Sequence, residues 1–235
     1  MPGSETGYAK NAANLQDLII RLKTLGADYN PPKALYTVKS LEQLTKKVNN
    51  AMHLVNQVLP VYRKAVDEQE LTFKPLNKLI TRSYNYLKVA INNPAELQTA
   101  RTLADHLRGV PIKNTVDGIS RKSKTNTSYD HKLAFFKQYI NVLIVSGVYE
   151  PAEKDLKLTS FQTLLNAMES NVTAVAIAKI PVDDARKKRF TLFYAEQIGL
   201  VDIAMGIKSY IKSLLSKDHP QYRHIVGLTF RKMSL

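Results

Sequence analysis

The sequence predicts an all-α protein, an elongated bundle of about six to eight helices. Three observations carry that expectation. Apolar residues return at three- and four-residue steps along most of the chain, the spacing of one helix face. No segment alternates convincingly at the two-residue step of a strand, although Ile225 to Arg231 suits a short extended tail. The periodic segments are also separated by Gly, Pro and Asn, residues that stop helices and open turns.

Taken in order, Leu15, Leu18, Ile19, Leu22 and Leu25 mark a first amphipathic helix that Gly26 is placed to stop. Tyr29-Asn30-Pro31-Pro32 reads as an extended linker. The most regular pattern follows, with Leu41, Leu44, Val48, Met52, Val55, Leu59, Tyr62 and Val66 on one stripe of a long helix and Ser40 as its expected cap. Pro60 lies inside that stripe, where a missing backbone donor and a crowded preceding turn cost about 3 kcal/mol, so a kink is expected between Asn56 and Pro60.

A further helix is predicted from about Phe73 to Ile91, with Pro75 tolerated near its start, and another from Ala95 to Arg108 after the turn Asn92-Asn93-Pro94. Ile112 to Tyr129 is polar, lacks helical periodicity and reads as a mobile connection. Ser128 or Asp130 can cap a helix carrying Leu133, Phe136, Ile140, Leu143 and Ile144, which Gly147 and Pro151 break. Thr159 is the expected cap of the next, whose stripe is Phe161, Leu164, Leu165, Met168, Val172, Val175 and Ala176. Pro181 is expected to interrupt it, with Asp183-Asp184 restarting a helix over Arg186 to Gln197 that carries a core aromatic patch, Phe190, Phe193 and Tyr194. The expected organisation is a helical half over 1–111, a basic polar connection over 112–129 and a second helical half over 130–235, with one compact domain as the alternative.

The last helical stretch, Gly199 to Lys232, has a fainter echo in Leu76 to Lys113. Leu200, Ile203, Ala204, Ile207, Ile211 and Leu214 share their phases with Leu76, Leu79, Ile80, Leu87 and Ala90, and Tyr86-Leu87-Lys88 falls where Tyr210-Ile211-Lys212 falls. Both close alike, His106-Leu107-Arg108-Gly109-Val110 against His224-Ile225-Val226-Gly227-Leu228, each glycine suiting the left-handed residue after a helix. One reading is a duplicated two-helix unit. The other is that amphipathic helices of one bundle share a period and a stop signal of necessity.

Composition bounds function without naming it. The chain has no cysteine, which removes disulfides, thiolate metal ligands and cysteine nucleophiles. Its start lacks the order of a secretory signal and no apolar run reaches the eighteen or so residues of a span, so a cytoplasmic location is the expectation. The net charge of +14 favours anionic partners.

The phrases Phe73-Lys74-Pro75-Leu76-Asn77-Lys78-Leu79-Ile80-Thr81-Arg82, Gly199-Leu200-Val201-Asp202-Ile203-Ala204 and His219-Pro220-Gln221-Tyr222 with Gly227-Leu228-Thr229-Phe230 resemble a family of small helical bacterial proteins over most of the chain. The resemblance implies an intact bacterial protein. It attaches no activity, cofactor or partner and carries over no site residues.

Enzyme signatures are missing where they are most legible: no phosphate-cradling glycine loop, nucleophile elbow or HExxH. None of His53, His106, His131, His219 and His224 forms an i, i+4 metal pair, so no metal, cofactor or catalytic residue is expected. Asp105, Asp130 and Asp218 each precede a histidine, but neighbouring helix side chains point apart. Asp67, Glu68 and Glu70 read as a solvated helix end with local ion pairs. The candidate anion contacts are Arg121, Lys122 and Lys124 in the connection and Arg186, Lys187, Lys188 and Arg189 over a turn of helix. The leading expectation is a non-enzymatic helical interaction or scaffold protein, able to self-associate through long apolar stripes. The alternative is a sequence-nonspecific nucleic-acid binder.

Overall fold

In a computed structural model of the chain, residues 5–110, 113–116, 119–122 and 128–232 are described, the second and third of these segments by their backbone alone. The apolar stripes become eight α-helices among the described residues: α1 Glu5–Thr24, α2 Val38–Phe73, α3 Leu76–Ala90, α4 Pro94–Arg108, α5 Tyr129–Val145, α6 Leu158–Tyr194, α7 Leu200–Leu214 and α8 Pro220–Gly227. Short 3-10 turns occupy Gly26–Asp28, Ala34–Tyr36 and Lys154–Leu156. The chain is all-α in class. Within the segment expected to be an unstructured connection, β1 Lys113–Val116 pairs antiparallel with β2 Ile119–Lys122, Lys113 opposite Lys122 and Val116 opposite Ile119.

The helices gather into two compact units that do not follow the linear halves 1–111 and 130–235. One unit combines the residues up to Pro60 with those from Ile180 onward; the other is Val61–Lys179. Helices α2, of 36 residues, and α6, of 37, each contribute to both units, and in each the boundary falls beside a proline, Pro60 or Pro181. Pro181 does not interrupt α6: buried side chains on both sides, Met168 before it and Val182 and Ala185 after it, hold the helix while proline forfeits a single hydrogen bond.

In the first unit, Leu15, Leu18 and Leu22 of α1 pack with Leu41 and Val48 of α2, Phe193 of α6, Leu200, Ile203, Ile207 and Ile211 of α7 and Ile225 of α8. Ile225 is thus helical and buried, and the extended tail starts only at Leu228. Asn11 holds that tail: its Nδ2 donates to the Arg231 carbonyl at 3.0 Å, and the Arg231 N–H donates to Asn11 Oδ1 at 3.1 Å. In the second unit, Leu76, Ile80 and Leu87 of α3, Ala100, Ala104 and Leu107 of α4, Phe136, Tyr139 and Leu143 of α5 and Phe161, Leu165 and Met168 of α6 share one core.

The units repeat local geometry in detail. Helices α3 and α7 both have 15 residues and bury Leu76 and Leu87, and Leu200 and Ile211, at the same steps. Gly26 and Gly147, which follow α1 and α5, both have positive φ, 56° and 64°. Three residues after Gly26 and two after Gly147 stands a tyrosine whose hydroxyl donates to a carbonyl in the following 3-10 turn, Tyr29 to Tyr36 at 2.7 Å and Tyr149 to Leu156 at 2.9 Å. Each tyrosine ring meets a second edge-on, Tyr210 at 5.8 Å and Tyr86 at 5.3 Å. Ser40 Oγ donates to Ala34 O and Ser160 Oγ to Lys154 O, both at 2.7 Å. Tyr8 of α1 packs edge-on against Phe193 at 4.9 Å, and Tyr129 of α5 against Phe73 at 4.8 Å.

Several local expectations shift. Ser40 is not the cap of α2; Thr37 Oγ1 accepts from the Ser40 N–H at 3.3 Å, one turn earlier. Thr159 likewise falls inside α6, which begins at Leu158. Ser128, rather than Asp130, caps α5. Phe73 closes α2, so α3 starts at Leu76. Gly109 takes the left-handed cap position at φ 73°, whereas Gly227 is the last residue of α8 and is followed by an extended Leu228.

Candidate interaction groove

Within the first unit, the early part of α2 and the late part of α6 leave a groove of about 730 Å³. Helical spacing selects its walls. Lys47, Asn50, Ala51 and Leu54 fall on one stripe of α2, and Asp184, Lys187, Lys188 and Thr191 on one stripe of α6, with Leu192 beside them. Val48 and Val55 on α2 and Ala185 and Phe193 on α6 turn into the core instead. The floor is apolar, built from buried Ala51, half-buried Leu192 and Leu54, which is 37% exposed. Above it stand three lysines, two of them exposed neighbours on α6. Among the described residues no carboxylate lies within ion-pair distance of Lys47, Lys187 or Lys188.

The structure divides the basic tetrad that the sequence offered as one cluster. Lys187 and Lys188 reach the groove and Arg186 is half-buried. Arg189 is only 4% exposed, with its guanidinium carbon 4.0 Å from the centre of the Tyr8 ring. It therefore does not serve as a surface anion contact. The reason is phase: Ala185, Arg189 and Phe193 are four residues apart, so position 189 lies on the inward stripe, where the ring face of Tyr8 accepts a cation. Arg121 and Lys122 lie in β2, opposite Asn114 and Lys113, and belong to the other unit, while Lys124 lies outside the described residues.

The acidic residues Asp67, Glu68 and Glu70 do not end a helix, as α2 continues to Phe73. Glu68 pairs with Lys64 at 3.8 Å, one turn back. Asp67 and Glu70 line a second cavity, of about 650 Å³, with Leu71, Lys74, Asn77, Tyr129 and Lys132, wholly within the second unit. The aspartate and histidine neighbours serve separate local ends. Asp105 receives Arg108 at 2.5 Å while His106 stacks on Phe135 at 4.4 Å. His131 Nδ1 meets Ser128 Oγ at 2.5 Å, and His219 caps α8 by accepting from the Gln221 N–H at 3.1 Å. Among the described residues no three His, Asp or Glu side chains converge as a metal site, and no helix is long and apolar enough to cross a membrane.

Lys47, Asn50 and Leu54 were not expected at a site. They occupy the polar face of α2, and only the approach of α6 gives that face a concave neighbour. No family model matches the chain, and neither does any curated protein or solved structure.

Proposed function

We propose that the protein works by binding rather than by catalysis, and that the groove of the first unit receives an acidic amphipathic helix of a protein partner. One observation carries the reading: an apolar floor lies beneath lysines that have no carboxylate of their own. Burying a leucine-like side chain on Ala51, Leu54 and Leu192 is favourable by about 1.5–3 kcal/mol, and the three ammonium groups supply orientation and speed of encounter more than affinity. A helix laid between two helices uses anchors at i, i+3 or i+4 and i+7, the usual mode of helix-in-groove recognition. A phosphate backbone fits less well, because it gains nothing from the floor and meets Asp184 on the rim.

The repeated tyrosine, serine and glycine contacts support the companion reading that the chain is a duplicated helical pattern. Its first copy runs through α1 to α4 and its second through α5 to α8. Each compact unit would then hold the opening part of one copy and the closing part of the other.

The test is titration of the full chain with a fluorescent helical peptide bearing leucine on one edge and glutamate on its flanks, beside duplex DNA and single-stranded RNA of equal charge. The peptide is expected to bind, and Lys187→Glu with Lys188→Glu to weaken it at least tenfold. Nucleic acid bound more tightly than the peptide, with a steep salt slope that the same pair of substitutions reduces, overturns the reading in favour of a phosphate-binding protein.

A further inference from the structure

Resting on that groove reading, we propose that its occupant is a second copy of this chain, presenting the acidic part of α2 between Lys64 and Leu71. The inference comes from aligning the late part of α2 with the late part of α6. At an offset of 120 residues Phe73 corresponds to Phe193, and both meet a tyrosine edge-on. Ala65 corresponds to Ala185 and Gln69 to Arg189, all four buried. Inward positions therefore match in burial, down to a buried polar residue at the same step.

The outward positions match in place and reverse in sign. Lys64 stands where α6 has Asp184, Asp67 where it has Lys187 and Glu68 where it has Lys188. All six are exposed, so core packing requires neither sign. The acidic segment also offers an apolar anchor, since Leu71, which lines the open cavity of the second unit with Asp67 and Glu70, is 66% exposed one turn beyond Asp67. It thus has the two properties that the groove selects, flanking carboxylates and a leucine.

The sign pattern fixes orientation. Laid parallel to α6, the segment of a second molecule sets Lys64 against Asp184, Asp67 against Lys187 and Glu68 against Lys188, leaving Glu70 for Lys47 on the opposite wall. Laid antiparallel, it sets Lys64 against Lys188 and Glu68 against Asp184. Like charges in those places disfavour the reversed pose. A contact confined to such a groove is small, so the association is weak and depends on concentration and salt.

The experiment is sedimentation of the full-length protein over a concentration series in low and high salt. Wild-type protein is expected to exceed the 26.5 kDa monomer mass as concentration rises, and high salt to reverse this. Lys187→Glu with Lys188→Glu makes the groove and the α2 segment both acidic, and Asp67→Lys with Glu68→Lys makes both basic. Each double variant alone is expected to associate at least tenfold more weakly. An equimolar mixture restores the complex, because the reversed groove of one then complements the reversed α2 segment of the other in charge. Circular dichroism of each variant checks that the helices persist, and the mixed sample controls for misfolding, since misfolded partners do not restore a complex. A strict monomer at every concentration, or self-association that neither reversal changes, overturns the proposal. The acidic peptide separates this outcome from the fate of the groove: peptide binding without self-association retains the groove reading and rejects the second copy, whereas loss of both rejects both.

Discussion

Tyr139 and Ser83 illustrate how individual residues carry stability here. The Ser83 hydroxyl donates to the Ile80 carbonyl at 3.1 Å, and the fully buried Tyr139 hydroxyl lies 2.9 Å from Ser83 Oγ, closing a short chain of hydrogen bonds across α3 and α5. Burial pushes the Tyr139 phenol up to about 12 and also raises Tyr29 and Tyr149. A raised folded-state value means that the unfolded chain loses its phenolic proton first. The contribution is therefore complete below about pH 10, the ordinary tyrosine value, and for Tyr139 is lost between there and about pH 12. Urea unfolding at pH 7 and at pH 11 is expected to show this loss, and Tyr139→Phe to reduce the alkaline slope while costing about 1 kcal/mol at pH 7. Gly206 makes a steric counterpart. A Cβ there would lie 2.7 Å from Tyr36 Cζ, and overpacking of about 1–3 kcal/mol outweighs the gain of about 1 kcal/mol in helix propensity. Gly206→Ala is thus expected to lower the urea midpoint, and a second change, Tyr36→Leu, to recover it.

At the scale of the element, helix periods were legible and helix ends less so. The stripes through Leu41 to Val66 and Phe161 to Val172 identified α2 and α6, because a buried face must repeat at 3.6 residues. Their starts moved to Val38, capped by Thr37, and to Leu158, since several hydroxyls crowd each entry and only backbone direction chooses among them. Where one side chain dominates, the reading was sharper. Asn93 before Pro94 accepts from the Ala95 N–H at 3.1 Å and the Glu96 N–H at 3.4 Å, while its amide donates to Glu96 Oε1 at 2.8 Å. Asn93→Ala is expected to destabilise α4 by about 1 kcal/mol in chemical denaturation, with Asn93→Ser recovering most of it. The tetrad Arg186 to Arg189 shows the opposite case. Four adjacent cations read as one patch along the chain, but a helix distributes consecutive residues about 100° apart, sending Arg189 inward to Tyr8 and only Lys187 and Lys188 to the groove.

For the whole molecule, the linear order of helices conceals which of them share a core. Leu15 and Leu18 pack with Leu200 and Ile207, and Ile80 and Leu87 with Phe136 and Phe161, so each unit joins one end of α2 to the opposite end of α6 and draws on both sides of the β1–β2 pair. Fragments 1–110 and 128–235 expressed separately are therefore expected to lack a cooperative thermal transition by circular dichroism, and their co-expression to restore one. Period by itself determined the all-α class and nearly every helix, because those properties depend on neighbours within about two turns. The tertiary structure alone decided that residues up to Pro60 join those from Ile180 onward, that Arg189 is buried, and that Lys47 shares a groove with Lys187 and Lys188. Those facts rest on contacts between residues more than a hundred positions apart, and a period read along one helix states which face is apolar without stating which distant face covers it.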